Sequence, residues 1–263
     1  MSFLVVTNYI LALYEWYVRI LEHTFLYLYC TIWIEYCNFA AFLAEAQRMN
    51  ANQPIAALFD LDGVVFDSEP QYSKFWGEMG RIYHPEIEHF DQIIKGSTLT
   101  RIFNLYFPDT TIQETIVKQL NLFEHDMPYE YIPGVYDFLL ELKEKGIYTA
   151  VVTSSNQIKM QSVAEQHPEF KSLFNRILTS EDFSASKPDP DCYLLGARVF
   201  NAPLENCMVF EDSISGIKAG MAANIYTVGL STTNPHETIA PMCNHVIPNF
   251  EGFTVETMLN LLK

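Results

Sequence analysis

Two aspartates separated by one residue, Asp60 and Asp62, directly follow the apolar run Ile55-Ala56-Ala57-Leu58-Phe59. A carboxylate in that place can accept a phosphoryl group as an aspartyl phosphate, which splits one hard displacement into two easier ones. A second carboxyl group can protonate the leaving oxygen and then activate water. Side chains two apart in extended backbone face the same way, so Asp60 and Asp62 can address one reacting centre while Gly63 lets the chain turn away. An acidic, solvated turn is the plainer reading of two such aspartates, but a wholly apolar strand before them argues against it.

Three later segments carry polar residues at comparable places: Val151-Val152-Thr153-Ser154-Ser155, Ser186-Lys187-Pro188-Asp189-Pro190 and Val209-Phe210-Glu211-Asp212-Ser213. In the first, a strand gives way to a helix, so Thr153 offers a hydroxyl and Ser154 and its successor offer backbone N–H donors for phosphate oxygens. Taken singly, Thr-Ser-Ser reads as a helix cap and a lysine before proline as a solvated turn.

Positioning these residues requires regular elements. Short β-branched or apolar runs alternate with helical patterns from Pro54 to Lys263, as in an α/β protein with a doubly wound, Rossmann-like parallel sheet. Strands are expected at 55–59, 148–152, 176–178, 207–210, 225–228 and 245–247. Helices are expected after Pro133-Gly134 as far as Gly146, and around 156–166, 190–200 and 213–222. Between 68 and 130 only amphipathic helical stretches appear, such as Leu99-Ile102-Phe103-Tyr106 and Ile112-Ile116-Leu120-Phe123. The expected organisation is a core formed by 53–67 and 131–263 with a helical insertion at 68–130. Ligands of such sheets sit at the carboxyl ends of the strands, where the polar segments fall.

The run Asp60-Leu61-Asp62-Gly63-Val64-Val65-Phe66-Asp67-Ser68 resembles the first motif of the haloacid dehalogenase superfamily of phosphatases and phosphomutases, and the other three segments follow in the family's order. The resemblance covers roughly residues 54–250. It implies that Asp60 is the nucleophile, Asp62 the acid/base and Lys187 the cation that balances nucleophile and phosphate. It further implies that Thr153, Ser154 and Lys187 bind phosphate, and that Asp60, Asp62 (through its backbone carbonyl), Glu211 and Asp212 hold Mg²⁺. An all-oxygen donor set of this kind suits Mg²⁺ rather than zinc or copper.

The insertion resembles the helical cap of the subfamily that includes β-phosphoglucomutase and phosphoglycolate phosphatase. Within it Lys95, Ser97 and Thr98 stand where that family reads its substrate; a helix N-cap with flanking charge is the alternative. Two positions depart from the mutase pattern: Tyr72 replaces a histidine, and Leu99 replaces the arginine that grips a second phosphate. The resemblance therefore favours a Mg²⁺-dependent phosphatase of a small phosphorylated metabolite such as a sugar phosphate. A β-phosphoglucomutase-type mutase and a catalytically silent, membrane- or partner-bound protein of the same fold are the alternatives.

At a formal charge of −16 a small anionic substrate needs local help, from a metal or a well-placed lysine. A formal charge of −16, from 16 Lys and Arg against 32 Asp and Glu, argues against nucleic acid, whose binding draws on basic side chains. Five scattered cysteines, Cys30, Cys37, Cys192, Cys207 and Cys243, form neither a disulfide framework nor a zinc pattern, which suits a reducing, cytoplasmic setting. Residues 1–52 form an apolar extension. In it Glu15, Arg19, Glu22 and Glu35 interrupt every run before the ~20 residues a membrane span needs, and no signal-peptide pattern is present. Translation starting at Met49, or an amphipathic helix on a membrane or partner, would each account for the stretch.

Overall fold

The computed structural model describes residue 16, residues 53–94 and residues 99–263. The chain divides into two units, Met1–Gln53 and Pro54–Lys263, and every element below belongs to the second. The expectations for the apolar extension, and those for Lys95, Ser97 and Thr98, lie outside the described residues.

Six strands form one parallel sheet in the order β3-β2-β1-β4-β5-β6. They are β1 (Ala56–Phe59), β2 (Tyr148–Val152), β3 (Arg176–Leu178), β4 (Cys207–Glu211), β5 (Tyr226–Leu230) and β6 (His245–Ile247). In β1 the two-residue repeat sends Ala56 and Leu58 to one face and Ala57 and Phe59 to the other, all of them fully buried. A strand buried on both faces has no polar alternation, which is why the run is wholly apolar. Phe59 stacks on Phe210, with ring centroids 4.7 Å apart, and meets Phe138 and Phe174 edge-on.

Helices α5 (Val135–Glu144), α6 (Gln157–Gln166) and α11 (Val255–Leu261) contribute to the Phe59 side. Helices α8 (Asp191–Arg198) and α9 (Ile214–Ala222) contribute to the Leu58 side. The short α7 (Phe170–Leu173) and α10 (His236–Ile239) complete the core. Strand β4 runs one residue further than expected, so Glu211 ends the strand instead of following it, and β5 is displaced to Tyr226–Leu230. Helix α6 starts at Gln157 under an Asn156 cap, whose side chain accepts from Lys159 N; the Thr-Ser-Ser run therefore stays free of the capping role.

Between Ser68 and Met127 the described chain is helical: α1 (Glu69–Tyr83), α2 (Phe90–Ile94), α3 (Leu99–Tyr106) and α4 (Thr110–Asp126). They enclose an apolar cluster of their own that includes Phe75, Trp76, Phe90, Phe103, Phe107 and Ile116. Helix α4 begins where Asp109 accepts from the N–H groups of Thr111 and Ile112, and it packs against α6 of the core.

Candidate active site

Strand β1 lies between β2 and β4, where the winding of the sheet reverses, and ligands of such folds bind at the carboxyl ends of these strands. Asp60 leaves the end of β1 with its N–H bonded to Phe210 O of β4 at 3.0 Å. Its Oδ1 accepts from Lys187 Nζ at 2.6 Å. That ammonium also donates to Glu211 Oε1 at 2.7 Å and to Val152 O at 3.1 Å, so its three protons have three acceptors. Its place is further fixed by the Tyr193 ring, 5.0 Å away. Burial of so many charges is tolerable only with this pairing.

Glu211, with no exposed surface, holds the arrangement together. Its Oε1 takes Lys187 and the Tyr193 hydroxyl, and its Oε2 takes the N–H groups of Asp212 and Ser213 and the Ser213 hydroxyl. Five donors exceed the four lone-pair directions of a carboxylate. Gly216 is required here, because a Cβ at this position would fall on the Glu211 carboxylate. Gly63, at φ +73°, is required in the same way, since a Cβ there would strike the carboxylate of Asp212.

Asp60, Glu211 and Asp212 each offer an oxygen within 4.8 Å of the others. Burial pushes Asp60 up to about 7 in spite of Lys187, with Glu211 and Asp62 adding to the rise. Burial also holds Asp212 well above the usual carboxylate range, reinforced by the charges of Glu211 and Asp60. Lys187 rises as well: burial opposes its charge, but Asp60 and Glu211 outweigh that. One ammonium thus faces three carboxylates, an excess of negative charge that a hard divalent cation fits.

The structure does not keep Asp62 on the path expected for it. The backbone bends after Asp60, with the N–H groups of Val65 and Phe66 both returning to Leu61 O, so the extended-backbone argument fails beyond Leu61. The Asp62 carboxylate accepts from Ser68 Oγ at 2.6 Å, from Ser155 Oγ at 3.2 Å and, through both oxygens, from Lys159 Nζ at 2.6 Å. Burial would raise its pKa, but the Lys159 charge and these hydrogen bonds hold it below the usual range. Sequence reasoning missed Lys159 and Glu124, and gave Ser155 only a backbone role. Lys159 Nζ also donates to the Tyr72 hydroxyl at 2.5 Å, which in turn donates to Glu124 Oε1 at 2.7 Å.

Thr153 is buried at the end of β2, and its hydroxyl oxygen accepts from Ser155 N at 3.0 Å, leaving its proton to donate elsewhere. Ser154, beside it, is exposed. After β5, Thr232 donates to Gly63 O at 2.6 Å and Asn234 Nδ2 to Asp212 O at 2.9 Å, so a polar run unassigned in the sequence braces the loops of both aspartates.

Residues 57–230 match the family described as haloacid dehalogenase-like hydrolase. The chain belongs to that family. Hexitol phosphatase A of Escherichia coli is 29% identical to it over 213 residues, 77% of this chain and 94% of that protein. Two solved structures share the fold at 24% identity. One is a haloacid dehalogenase hydrolase of family IA, variant 3, from Entamoeba histolytica, with a TM-score of 0.70 over 79% of this chain and 99% of that one. The other is a putative β-phosphoglucomutase from Bacteroides vulgatus, with a TM-score of 0.66 over 80% and 91%. A haloacid dehalogenase-like core with a helical insertion after its first strand is therefore the frame in which Asp60, Asp62, Thr153, Lys187, Glu211 and Asp212 are placed.

Proposed function

We propose that this haloacid dehalogenase-like hydrolase is a Mg²⁺-dependent phosphatase of a small phosphorylated metabolite, of the sugar or polyol phosphate class, working through Asp60. The observation that carries the reading is the Asp60 carboxylate at the carboxyl end of β1, tied to Lys187 and grouped with Asp212 and Glu211. The name of the hexitol phosphatase relative supports the substrate class.

In the first step Asp60 attacks phosphorus, the P–O bond to the leaving alcohol breaks, and the alcohol takes a proton that Asp62, ionised at rest beside Lys159, first draws from solvent. In the second, water attacks the aspartyl phosphate, the bond from Asp60 to phosphorus breaks, and Asp62 accepts the proton of water. Lys187, the Thr153 hydroxyl and the Ser154 N–H draw charge from the phosphoryl oxygens. Asp60, Asp212 and the backbone carbonyl of Asp62 would hold Mg²⁺, which supplies positive charge to the transferring phosphoryl group when bound. Glu211, already taken by five donors, serves to hold Lys187 and the Asp212–Ser213 turn.

The helical insertion acts as a lid, supported by Tyr72 and Glu124 reaching the Lys159 that holds Asp62. Among the described residues no helix is long and apolar enough to cross a membrane, and Cys192, Cys207 and Cys243 are unbridged thiols; both suit a cytoplasmic enzyme. The test is turnover of hexitol phosphates, glycerol 1-phosphate and β-glucose 1-phosphate with Mg²⁺, following free phosphate and glucose 6-phosphate. Phosphate release without sugar isomerisation is expected; glucose 6-phosphate formation would make the protein a mutase.

A further inference from the structure

Lys159 lies in the first turn of α6, a helix with three Gln, yet only 1% of its surface is exposed while its neighbour Ile158 is 58% exposed. Turning an ammonium inward and an isoleucine outward inverts the hydrophobic preference, and burial of a cation requires compensation. The compensation is complete: the three protons go to Asp62 Oδ1, Asp62 Oδ2 and the Tyr72 hydroxyl, and the ring of Tyr72 lies 4.9 Å from Nζ. The Tyr72 hydroxyl is in turn fixed by Glu124 of α4, itself 9% exposed. Lys159 cannot swing to solvent without abandoning all three acceptors.

We propose that Lys159 is a positioning residue for the second chemical step: through its two hydrogen bonds it orients the Asp62 carboxylate, the group that takes the proton of the attacking water. The inference rests on reading Asp62 as the base of that step. Without Lys159 the carboxylate keeps only the hydroxyls of Ser68 and Ser155, at 2.6 and 3.2 Å, neither of which carries charge. Loss of the two Lys159 hydrogen bonds frees the carboxylate to turn away from the reacting water, and that loss of orientation sets the expected direction of the effect.

p-Nitrophenyl phosphate separates the steps, because its leaving group departs without a proton. For this ester kcat/KM reports phosphorylation of Asp60, and kcat falls when dephosphorylation slows. Lys159→Met should lower kcat about 100-fold, the lower range of a general base's contribution. Its kcat/KM should stay within about threefold, KM should fall with kcat, and a rapid burst of nitrophenolate should appear. Asp62→Asn should show the same split.

Parallel losses of kcat and kcat/KM in Lys159→Met, as general distortion would give, or no loss at all, would overturn the positioning role. An Asp62→Asn enzyme without the split would overturn the base assignment itself, and the role of Lys159 with it. Should Lys159→Met fail to fold, Lys159→Arg keeps the charge but moves the donors to a planar fork. It is expected to show the split at a smaller amplitude, and unchanged kinetics would contradict the inference.

Discussion

Replacing Lys187 by methionine tests the charge balance of the site. Methionine keeps most of the side chain's length and its contact with the Tyr193 ring while deleting the ammonium. In the intact protein that ammonium pairs with Asp60 at 2.6 Å and Glu211 at 2.7 Å, in side chains 5%, 13% and 0% exposed respectively for Lys187, Asp60 and Glu211. Removing one partner of a buried pair costs about 3–5 kcal/mol, because the remaining charge stays buried. Glu211 cannot reach water, so the middle of that range, ~4 kcal/mol, is expected. With a urea slope of ~2.5 kcal/mol per molar, the unfolding midpoint falls by roughly 1.5 M. The assay is urea denaturation followed by circular dichroism, with EDTA and with excess Mg²⁺. A cation that binds only the folded state should recover part of the loss. A midpoint in EDTA within ~0.3 M of the unaltered protein, about 0.8 kcal/mol on the same slope, would refute the claim that Lys187 offsets the charge of these carboxylates.

Other substitutions probe separate parts of the argument. Gly216→Ala adds helix propensity of up to about 1 kcal/mol but drives a Cβ into the Glu211 carboxylate, fixed by five donors. An overpacking cost of about 1–3 kcal/mol should prevail in thermal melts, together with lost turnover. Asp191, which accepts from Ser184 N at 2.7 Å and its hydroxyl at 2.9 Å, has a pKa held down chiefly by the Ser184 N–H. Its contribution is present above the unfolded carboxylate pKa and lost as pH falls through the lower folded value. The melting difference between Asp191→Asn and the unaltered protein should therefore be largest near neutrality and close in acid, and a constant difference would exclude the effect. Dialysis against EDTA should abolish hydrolysis and Mg²⁺ restore it, as measured by phosphate release; full activity after exhaustive chelation would remove the metal from the proposal.

The core was legible because each strand announces itself. Strand β1, buried on both faces, reads as an uninterrupted apolar run, and β2, β3 and β6, less purely apolar and partly exposed, still fall on the residues expected. Where β4 ends was less legible, since Glu211 looks like a loop residue; two of its five donors, Lys187 and Tyr193, come from residues that only the fold brings to it. The positions of Asp60 and Lys187 followed from motif order, although no spacing rule could show that one ammonium would meet both Asp60 and Glu211. Asp62 illustrates the opposite case. Periodicity in an extended strand aligned it with Asp60, but the turn closed by Leu61 O gives it other partners. Lys159 was invisible because a lysine in a polar helix is ordinarily solvated, and its acid, Asp62, lies 97 residues earlier in the chain.

Asp60 as the atom donor of the covalent intermediate is the central claim, and trapping tests it most directly. The protein, mixed with a phosphate ester and Mg²⁺ and quenched during turnover with borohydride, should yield a peptide in which Asp60 has been reduced to homoserine. Asp60→Asn should yield none and should not turn over. Reduction at another carboxylate, or sustained turnover by Asp60→Asn, would contradict the account.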